Sequence, residues 1–195
     1  MARAETYNRD TALDAALAIF WRKGYHATSL KDLEAALSMK PGSIYAAFKS
    51  KEALFKDSLA RYFDQGRAKF EEQLATSPMI IDALAAHLQS FAAQERRADP
   101  AQACMIVKTI LENAEAEPHL ADYARDLFDK TRAGFQHAFK TAQAQGEIDA
   151  QHDAEALAKA YQAHVTTLRL DNQIGTNPED SRKLAERMVA ELKAL

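Results

Sequence analysis

The 195-residue sequence is 47% hydrophobic and 27% charged, a globular composition that suits one large or two small domains. Its single cysteine excludes a disulfide framework within the chain and multi-cysteine zinc sites. No segment has the uncharged apolar length of a membrane span, and residues 1–10 carry no signal-peptide core. We therefore expect a cytoplasmic protein with no membrane partner.

The charge is distributed unevenly along the chain. Residues 1–63 contain ten Lys and Arg against seven Asp and Glu, whereas residues 64–195 contain fifteen against twenty-one. Helical proteins often segregate charge to this extent, so the basic excess at the front is weak evidence for nucleic-acid binding by itself. It becomes informative only together with a motif.

The composition predicts an all-α fold of about nine helices. Helix-forming residues dominate, and no alternating apolar run of useful length indicates a strand. The first helix covers about residues 8–23 and ends at Gly24. Thr28 or Ser29 caps the second helix, and Asp32 occupies the third position of a capping box.

Two short helices follow in succession. The second helix stops near Ser38, and Pro41 opens a third, where its fixed backbone angle suits the first turn. A fourth helix starts near Lys51 behind the N-cap Ser50 and continues to about residue 73. Helices of about eight residues are unstable alone, so both must pack on the first and fourth. This arrangement is a helix-turn-helix, whose second short helix enters the DNA major groove.

Proline and glycine positions delimit five more helices. They are predicted over residues 78–97, 100–116, 118–145, 153–172 and 179–195.

Residues 24–55, GYHATSLKDLEAALSMKPGSIYAAFKSKEALF, resemble the N-terminal domain of the TetR/AcrR family of transcriptional regulators. Ser38 departs from the pattern, because the family commonly has glycine in the inter-helix turn. The resemblance implies a helix-turn-helix DNA-binding domain over residues 1–55 and a helical effector-binding and dimerisation domain over residues 56–195. The matching residues are Gly24, Tyr25, Thr28, Ser29, Leu33, Ala36, Gly42, Ser43, Ile44, Tyr45, Phe48, Lys51, Glu52 and Leu54.

The matched residues predict two kinds of DNA contact. Phosphate contacts are expected from Thr28, Ser29, Tyr45 and Lys51, with the Tyr45 ring packed inside and its hydroxyl directed to the DNA backbone. Base reading is expected from the exposed front of the third helix, formed by Lys40, Pro41, Gly42, Ser43 and Ala46. Whether Arg3 and Arg9 add contacts from an N-terminal arm is left open.

The resemblance also implies a homodimer, formed through residues 153–172 and 179–195, that binds a double-stranded DNA operator. Two apolar stripes in these segments are compatible with a partner, and packing within the chain is the alternative. The stripes consist of Ala154, Leu157, Ala158, Tyr161, Val165 and Leu168, and of Leu184, Met188, Val189 and Leu192.

The effector is an unknown small molecule at this stage. Residues 102–114 are similar to a branch of the family in which a cysteine responds to electrophiles or oxidants. The helix N-terminus and Lys108 would favour a reactive Cys104, while plain core packing is the alternative. The other pocket candidates, each of which also suits ordinary packing, are His87, Phe91, Phe128, His137, Tyr161 and His164.

No catalytic motif, cofactor-binding motif or metal-ligand spacing appears in the sequence, so we expect neither an enzyme nor a metal site. The predicted function is a ligand-responsive DNA-binding regulator. It would be a homodimeric repressor released from a palindromic operator by a small molecule or by modification of Cys104. The alternative is a helical module that binds a small molecule or a partner and has no DNA role.

Overall fold

The computed structural model describes residues 8–92, 103–175 and 177–195. In this part of the chain it contains nine α-helices and no strand, which confirms the predicted fold class. The helices are α1 Arg9–Lys23, α2 Leu30–Leu37, α3 Pro41–Phe48, α4 Lys51–Thr76, α5 Ile80–Ala92, α6 Met105–Asn113, α7 Pro118–Ala144, α8 Ala154–Ile174 and α9 Pro178–Lys193.

Two helix starts differ from the predicted ones for identifiable reasons. Helix α5 begins at Ile80 rather than Pro78, because the Glu147 carboxylate accepts the backbone N–H groups of Ile80 and Ile81, each at 2.8 Å. Helix α6 begins at Met105 rather than near residue 100. The backbone of Ala103 is bonded elsewhere, since its oxygen accepts from Trp21 Nε1 and its N–H donates to Gln173 Oε1.

The buried apolar side chains form two clusters. The first cluster joins α1, α2, α3 and the start of α4 to α6 and the start of α7. The second joins the end of α4 to α5, α7, α8 and α9. Helix α4 crosses both clusters without a break, with Leu54, Phe55 and Leu59 in the first and Phe70 in the second. The α6 region therefore packs directly against the N-terminal helices.

The apolar stripes proposed for dimer contact face inward. Ala154, Tyr161, Val165 and Leu168 are all buried in the second cluster, and so are the α9 residues Met188, Val189 and Leu192. Leu157 and Leu184 are partly buried against the same cluster. These stripes are occupied by intramolecular packing, so a partner would have to meet other faces of α8 and α9.

Helix α3 lies between two residues with positive φ angles. Ser38, in the position where the resemblance favours glycine, has φ 53° and ψ 36° and its N–H donates to Glu34 O. Lys49, at the other end, has φ 68° and ψ −52°. These are the two non-glycine residues with positive φ in the described chain. Backbone strain of this kind persists where the surrounding structure holds the residue in place.

Candidate nucleic-acid interface and effector groove

The front of α3 is the exposed face expected of a reading surface. Lys40, Gly42, Ser43 and Ala46 are exposed and Pro41 is half-buried, whereas Ile44 and Phe48 on the opposite face are buried in the first cluster. Lys40 is the N-cap residue, and its side chain makes no capping bond. The five predicted base-reading residues thus share one accessible helix end. A short helix held by its rear face can enter a groove with this end leading.

Gly42 leaves open space at the tip of this surface. A Cβ atom built on it meets no other atom within 4 Å, so nothing within the chain requires a glycine there. The same is true of Gly134 in the middle of α7. Gly42 lies on the predicted reading surface and Gly134 lies away from it, so the two glycines form a matched pair for substitution.

Ser29 and Lys51 occupy the flank of α3 where phosphate contacts were predicted. Ser29 and Asp32 form the predicted capping box, with the Asp32 carboxylate also bound to Lys23 at 2.6 Å. The Lys51 ammonium lies 4.5 Å from the centroid of the Tyr25 ring. Burial lowers the pKa of Lys51, and the neighbouring Asp32 acts in the opposite direction. Both Ser29 and Lys51 remain compatible with a phosphate at this flank.

Two of the predicted DNA contacts need correction, and the structure bears on the question left open for Arg9. The Thr28 side chain is fully buried and its hydroxyl donates to Gly24 O at 2.7 Å, so it is not offered to a phosphate. The Tyr45 ring is 45% exposed rather than packed inside, because it lies on the outer face of α3. Arg9 is part of α1, where it pairs with Asp57 at 2.7 Å, and so does not belong to a flexible arm. Arg3 lies outside the described residues.

A groove of about 360 Å³ opens between the C-terminal end of α1, the start of α6 and the last turns of α8. Its wall is mainly apolar. The polar groups around it are largely satisfied, since Trp21 Nε1 donates to Ala103 O at 2.7 Å and Thr166 donates to Gln162 O. The lining residues are Trp21, Ala103, Cys104, Val107, Lys108, Leu111, Glu112, Thr166, Leu170 and Gln173.

Lys108 has a structural role in this groove. Its ammonium donates to the backbone oxygens of Trp21 and Arg22, at 3.1 and 3.3 Å, and lies 3.7 Å from the Glu112 carboxylate. These oxygens belong to the last turn of α1, where a cation is favoured by the helix dipole. Lys108 therefore ties α6 to the end of α1, which competes with the predicted role of activating Cys104.

A second set of candidates forms an aromatic cluster within the second apolar cluster. Tyr161 donates its hydroxyl proton to Leu84 O at 2.9 Å and accepts from His87 Nδ1 at 2.8 Å, which sets His87 as the Nδ1–H tautomer. The His87 ring contacts Phe91 and Phe70, with centroids 4.8 and 5.0 Å apart. Burial raises the pKa of Tyr161 well above its ordinary value. His87, Phe91 and Tyr161 are thus brought together as a packed unit.

His87 predicts a specific acid sensitivity. Burial, and then the charge of Arg169, lowers the pKa of His87 from 6.5 to about 4. The unfolded chain therefore takes up a proton between these values and the folded chain does not, so the stabilisation is complete above pH 6.5 and is lost as the pH falls towards 4. Between pH 6.5 and 4, the free energy of unfolding of the wild type should fall by up to about 3 kcal/mol more than that of His87→Gln. Urea unfolding at each pH measures this difference. Equal losses would assign the acid sensitivity to other groups.

The remaining pocket candidates are dispersed. His137 is exposed on α7, which removes it from any enclosed site. Phe128 is partly buried against the first cluster, and its backbone oxygen accepts from Gln162 Nε2 at 2.8 Å. His164 is half-buried on α8. No three His, Cys, Asp or Glu side chains of the described chain gather as a metal site would require. Among its helices, none has the apolar length to cross a bilayer.

Sequence reasoning missed Arg169 and the site role of Tyr62. Arg169 donates from Nη1 to the Tyr62 hydroxyl, and its guanidinium carbon lies 4.7 Å from the centroid of the Phe91 ring. Arg169 therefore connects the aromatic cluster to the groove residue Cys104, whose thiol neighbours both side chains. The available signal was a charged residue one turn after Val165, within the apolar face of α8.

Comparison with known proteins places this arrangement in a family. Residues 12–57 match the family of bacterial regulatory proteins, tetR family, and residues 81–188 match the tetracyclin repressor-like C-terminal domain. The HTH-type transcriptional repressor ComR of Escherichia coli is 29% identical over 184 residues, which cover 94% of this chain and 88% of ComR. YezE of Bacillus subtilis, an HTH-type transcriptional regulator, is 28% identical and aligns over 82% of both chains.

A solved structure agrees with both matches. The TetR family regulator CifR, as a cysteine mutant bound to 26-bp double-stranded operator DNA, superposes with a TM-score of 0.86 at 28% identity, covering 96% of this chain and 98% of CifR. The family match to the C-terminal domain alone extends over more than half of the sequence. The chain therefore belongs to the TetR family of DNA-binding transcriptional regulators, and it is a regulator rather than an enzyme.

Proposed function

We propose that this regulator is a homodimeric repressor that binds a palindromic operator through α3 and is released when its effector groove is occupied or Cys104 is modified. The observation that carries the proposal is the accessible end of α3, where Lys40, Gly42, Ser43 and Ala46 are exposed while the rear face is buried. Lys40 would donate to guanine, and Ser43 to either base type. Ser29, Tyr45 and Lys51 would position the helix on phosphates.

The outer face of α8 supports the dimer. Small and apolar side chains recur along this face at helical spacing and are exposed to solvent in the single chain. Small side chains allow two helices to approach closely, as a four-helix dimer interface requires. This face differs from the inward stripes expected from the sequence, although it belongs to the same helix. Its members are Ala156, Ala160, Ala163, Thr167 and Ile174.

The route from groove to reading surface has two physical connections. Helix α4 runs from the second cluster to the base of α3 as one helix. Lys108 of α6 and Ala103, just before α6, hold the end of α1 through their bonds with the Trp21 backbone oxygen and the Trp21 Nε1 group, respectively. A ligand that displaces the start of α6 would move the DNA-binding helices, provided that it binds the two arrangements with different affinity.

Selection of bound duplexes from a random DNA library, near physiological salt, tests the proposal. We expect enrichment of a palindrome whose half-sites lie about one helical turn, or a multiple of it, apart. Enrichment of a single asymmetric site would contradict the dimer. Failure to enrich any sequence, with the protein folded and free of bound ligand, would favour the ligand-binding module without a DNA role.

Single substitutions on the selected duplex separate positioning from reading. Lys51→Ala should weaken binding to all sequences alike and reduce the slope of log affinity against log salt by about 1, because one phosphate contact is lost. Lys40→Ala and Ser43→Ala should instead erode discrimination between sequences. Lys69→Ala, an exposed lysine of α4 away from this face, is the matched control for Lys51 and should leave the slope unchanged.

A further inference from the structure

Arg169 lies between the aromatic cluster and the groove residue Cys104, although it is not itself one of the residues that line the groove. It lies on α8 between the groove residues Thr166 and Gln173, one helical turn from each. Its guanidinium carbon lies over the rings of Phe91 and Tyr62, at 4.7 and 6.0 Å from their centroids. Two aromatic faces and a hydroxyl therefore hold the cation in place.

The charge of Arg169 has no carboxylate partner within the described residues. The side chain donates to the Tyr62 hydroxyl, while its Nε atom is buried without any hydrogen-bond partner. Burial alone would lower the pKa of Arg169, but Tyr62 and the Cys104 thiol outweigh it and raise the pKa. The Tyr62 hydroxyl and the Cys104 thiol are neutral, so the guanidinium keeps its full positive charge, and an anion that reached it would gain a charge-assisted hydrogen bond.

The other cation beside the groove is already neutralised. Lys108 donates to two backbone oxygens of α1 and lies beside the Glu112 carboxylate. Glu112 is exposed at the outer end of the groove, so its charge is also screened by solvent. Arg169, whose neighbour Cys104 lines the groove, therefore carries the incompletely paired charge that a ligand would reach, past the Cys104 side chain.

We propose that the effector of this regulator is a small molecule with an apolar body and a carboxylate or similar anionic group. The body fills the groove along Trp21, Val107 and Leu170, and the anion pairs with Arg169 beside the Cys104 thiol. This inference rests on the proposed function and names the chemical class of its effector. A groove of about 360 Å³ is in the range of small-ligand sites.

Trp21 gives a direct readout of this binding. It is the one tryptophan in the sequence and it lines the groove, so its fluorescence reports occupancy in the full-length protein. Octanoate and octanamide serve as probes, because they have the same apolar chain and differ in charge. We expect octanoate to change the Trp21 emission saturably, with a Kd at least about tenfold lower than that of octanamide.

Substitutions of Arg169 isolate the charge. Arg169→Met removes the cation and keeps an apolar side chain, a replacement that buried ionic sites often tolerate. It should abolish the preference for octanoate while octanamide binding stays within about threefold. Arg169→Gln is a second neutral variant with the same expectation, and Arg169→Lys should keep part of the preference. Arg182→Met is the control, since Arg182 is exposed on α9 and pairs with Glu179.

Equal binding of the two probes to the wild-type protein would overturn the inference, and so would a preference that persists in the neutral variants. A changed rate of Cys104 alkylation in Arg169→Met, without any octanoate preference in the wild type, would assign Arg169 to the thiol instead. Operator binding is measured separately on the ligand-free protein. The fluorescence result therefore stands even if no operator is found, and an operator that is found does not establish the effector class.

Discussion

Gly42→Glu is expected to weaken operator binding by at least about 100-fold without loss of stability. The new carboxylate would project from the leading end of α3 into open space, since a Cβ atom at this position meets nothing within 4 Å. On the operator, the same carboxylate would face phosphates and base acceptors, and such like-charge contact costs several kcal/mol. A loss of about 2.7 kcal/mol corresponds to the 100-fold effect.

The folded protein should tolerate this change because both the new charge and the loss of a glycine stabilise helix α3. The first turn of α3 contains no acidic residue, and a carboxylate there interacts well with the helix N-terminus. Replacing a glycine within a helix by a residue with a higher helix propensity stabilises the helix by about 0.5–1 kcal/mol. The melting temperature should therefore stay equal or rise, as followed by circular dichroism.

Gly134→Glu supplies the control for charge and for glycine removal. Gly134 is exposed in the middle of α7 and has the same open surroundings, so this variant changes the net charge equally. It should bind the operator within about threefold of the wild type. Retained affinity in Gly42→Glu would show that the front of α3 is not the reading surface.

Gly24→Ala is expected to lower the free energy of unfolding by about 2–3 kcal/mol, because its backbone conformation is strained for any residue with a Cβ atom. Gly24 ends α1 with φ 81° and ψ 173°, a region that such residues almost never occupy. Its N–H donates to Phe20 O, and its oxygen accepts from the buried Thr28 hydroxyl. The chain cannot relax at this position without breaking these bonds. Chemical denaturation would measure the loss through the unfolding midpoint and its slope.

A second substitution separates backbone strain from a clash. A Cβ atom added at Gly24 would approach Glu112 Oε2 to 2.5 Å, but that oxygen ends a flexible side chain and can move aside. We therefore expect Gly24→Ala combined with Glu112→Ala to keep most of the destabilisation. Full recovery in the double variant would identify the clash as the cause. Gly134→Ala, a helical glycine with open space, should instead be neutral or slightly stabilising.

The helical fold was predictable because its signals are local. Pro41, Pro118 and Pro178 each stand in the first turn of a helix, and Gly24 and Gly175 end helices as expected. The start of α6 was not, because it depends on tertiary bonds from the Ala103 backbone to α1 and α8. The start of α5 depends likewise on a carboxylate that comes from 66 residues further along the chain.

The candidate sites were predictable in unequal measure. The exposed residues of α3 follow from helical periodicity once Ile44 and Phe48 are assigned to the core. Thr28 was misassigned because a hydroxyl near a helix start can serve either a phosphate or its own backbone, and burial decides between them. The role of Arg169 depends on which residues surround it in space, and periodicity indicates only that its position faces inward.

The uninterrupted length of α4 affects which operator spacings the protein would bind. Its 26 residues span about 39 Å at about 1.5 Å per residue. If the helix pivots where Phe70 packs, a tilt of only about 6° displaces its distant end by about 3 Å, close to the rise of about 3.4 Å for one base pair. In the proposed homodimer, two such helices would distinguish operators whose half-site separation differs by a single base pair. Small packing changes around Phe70, far from the DNA, would then place the two α3 helices out of register with the two half-sites.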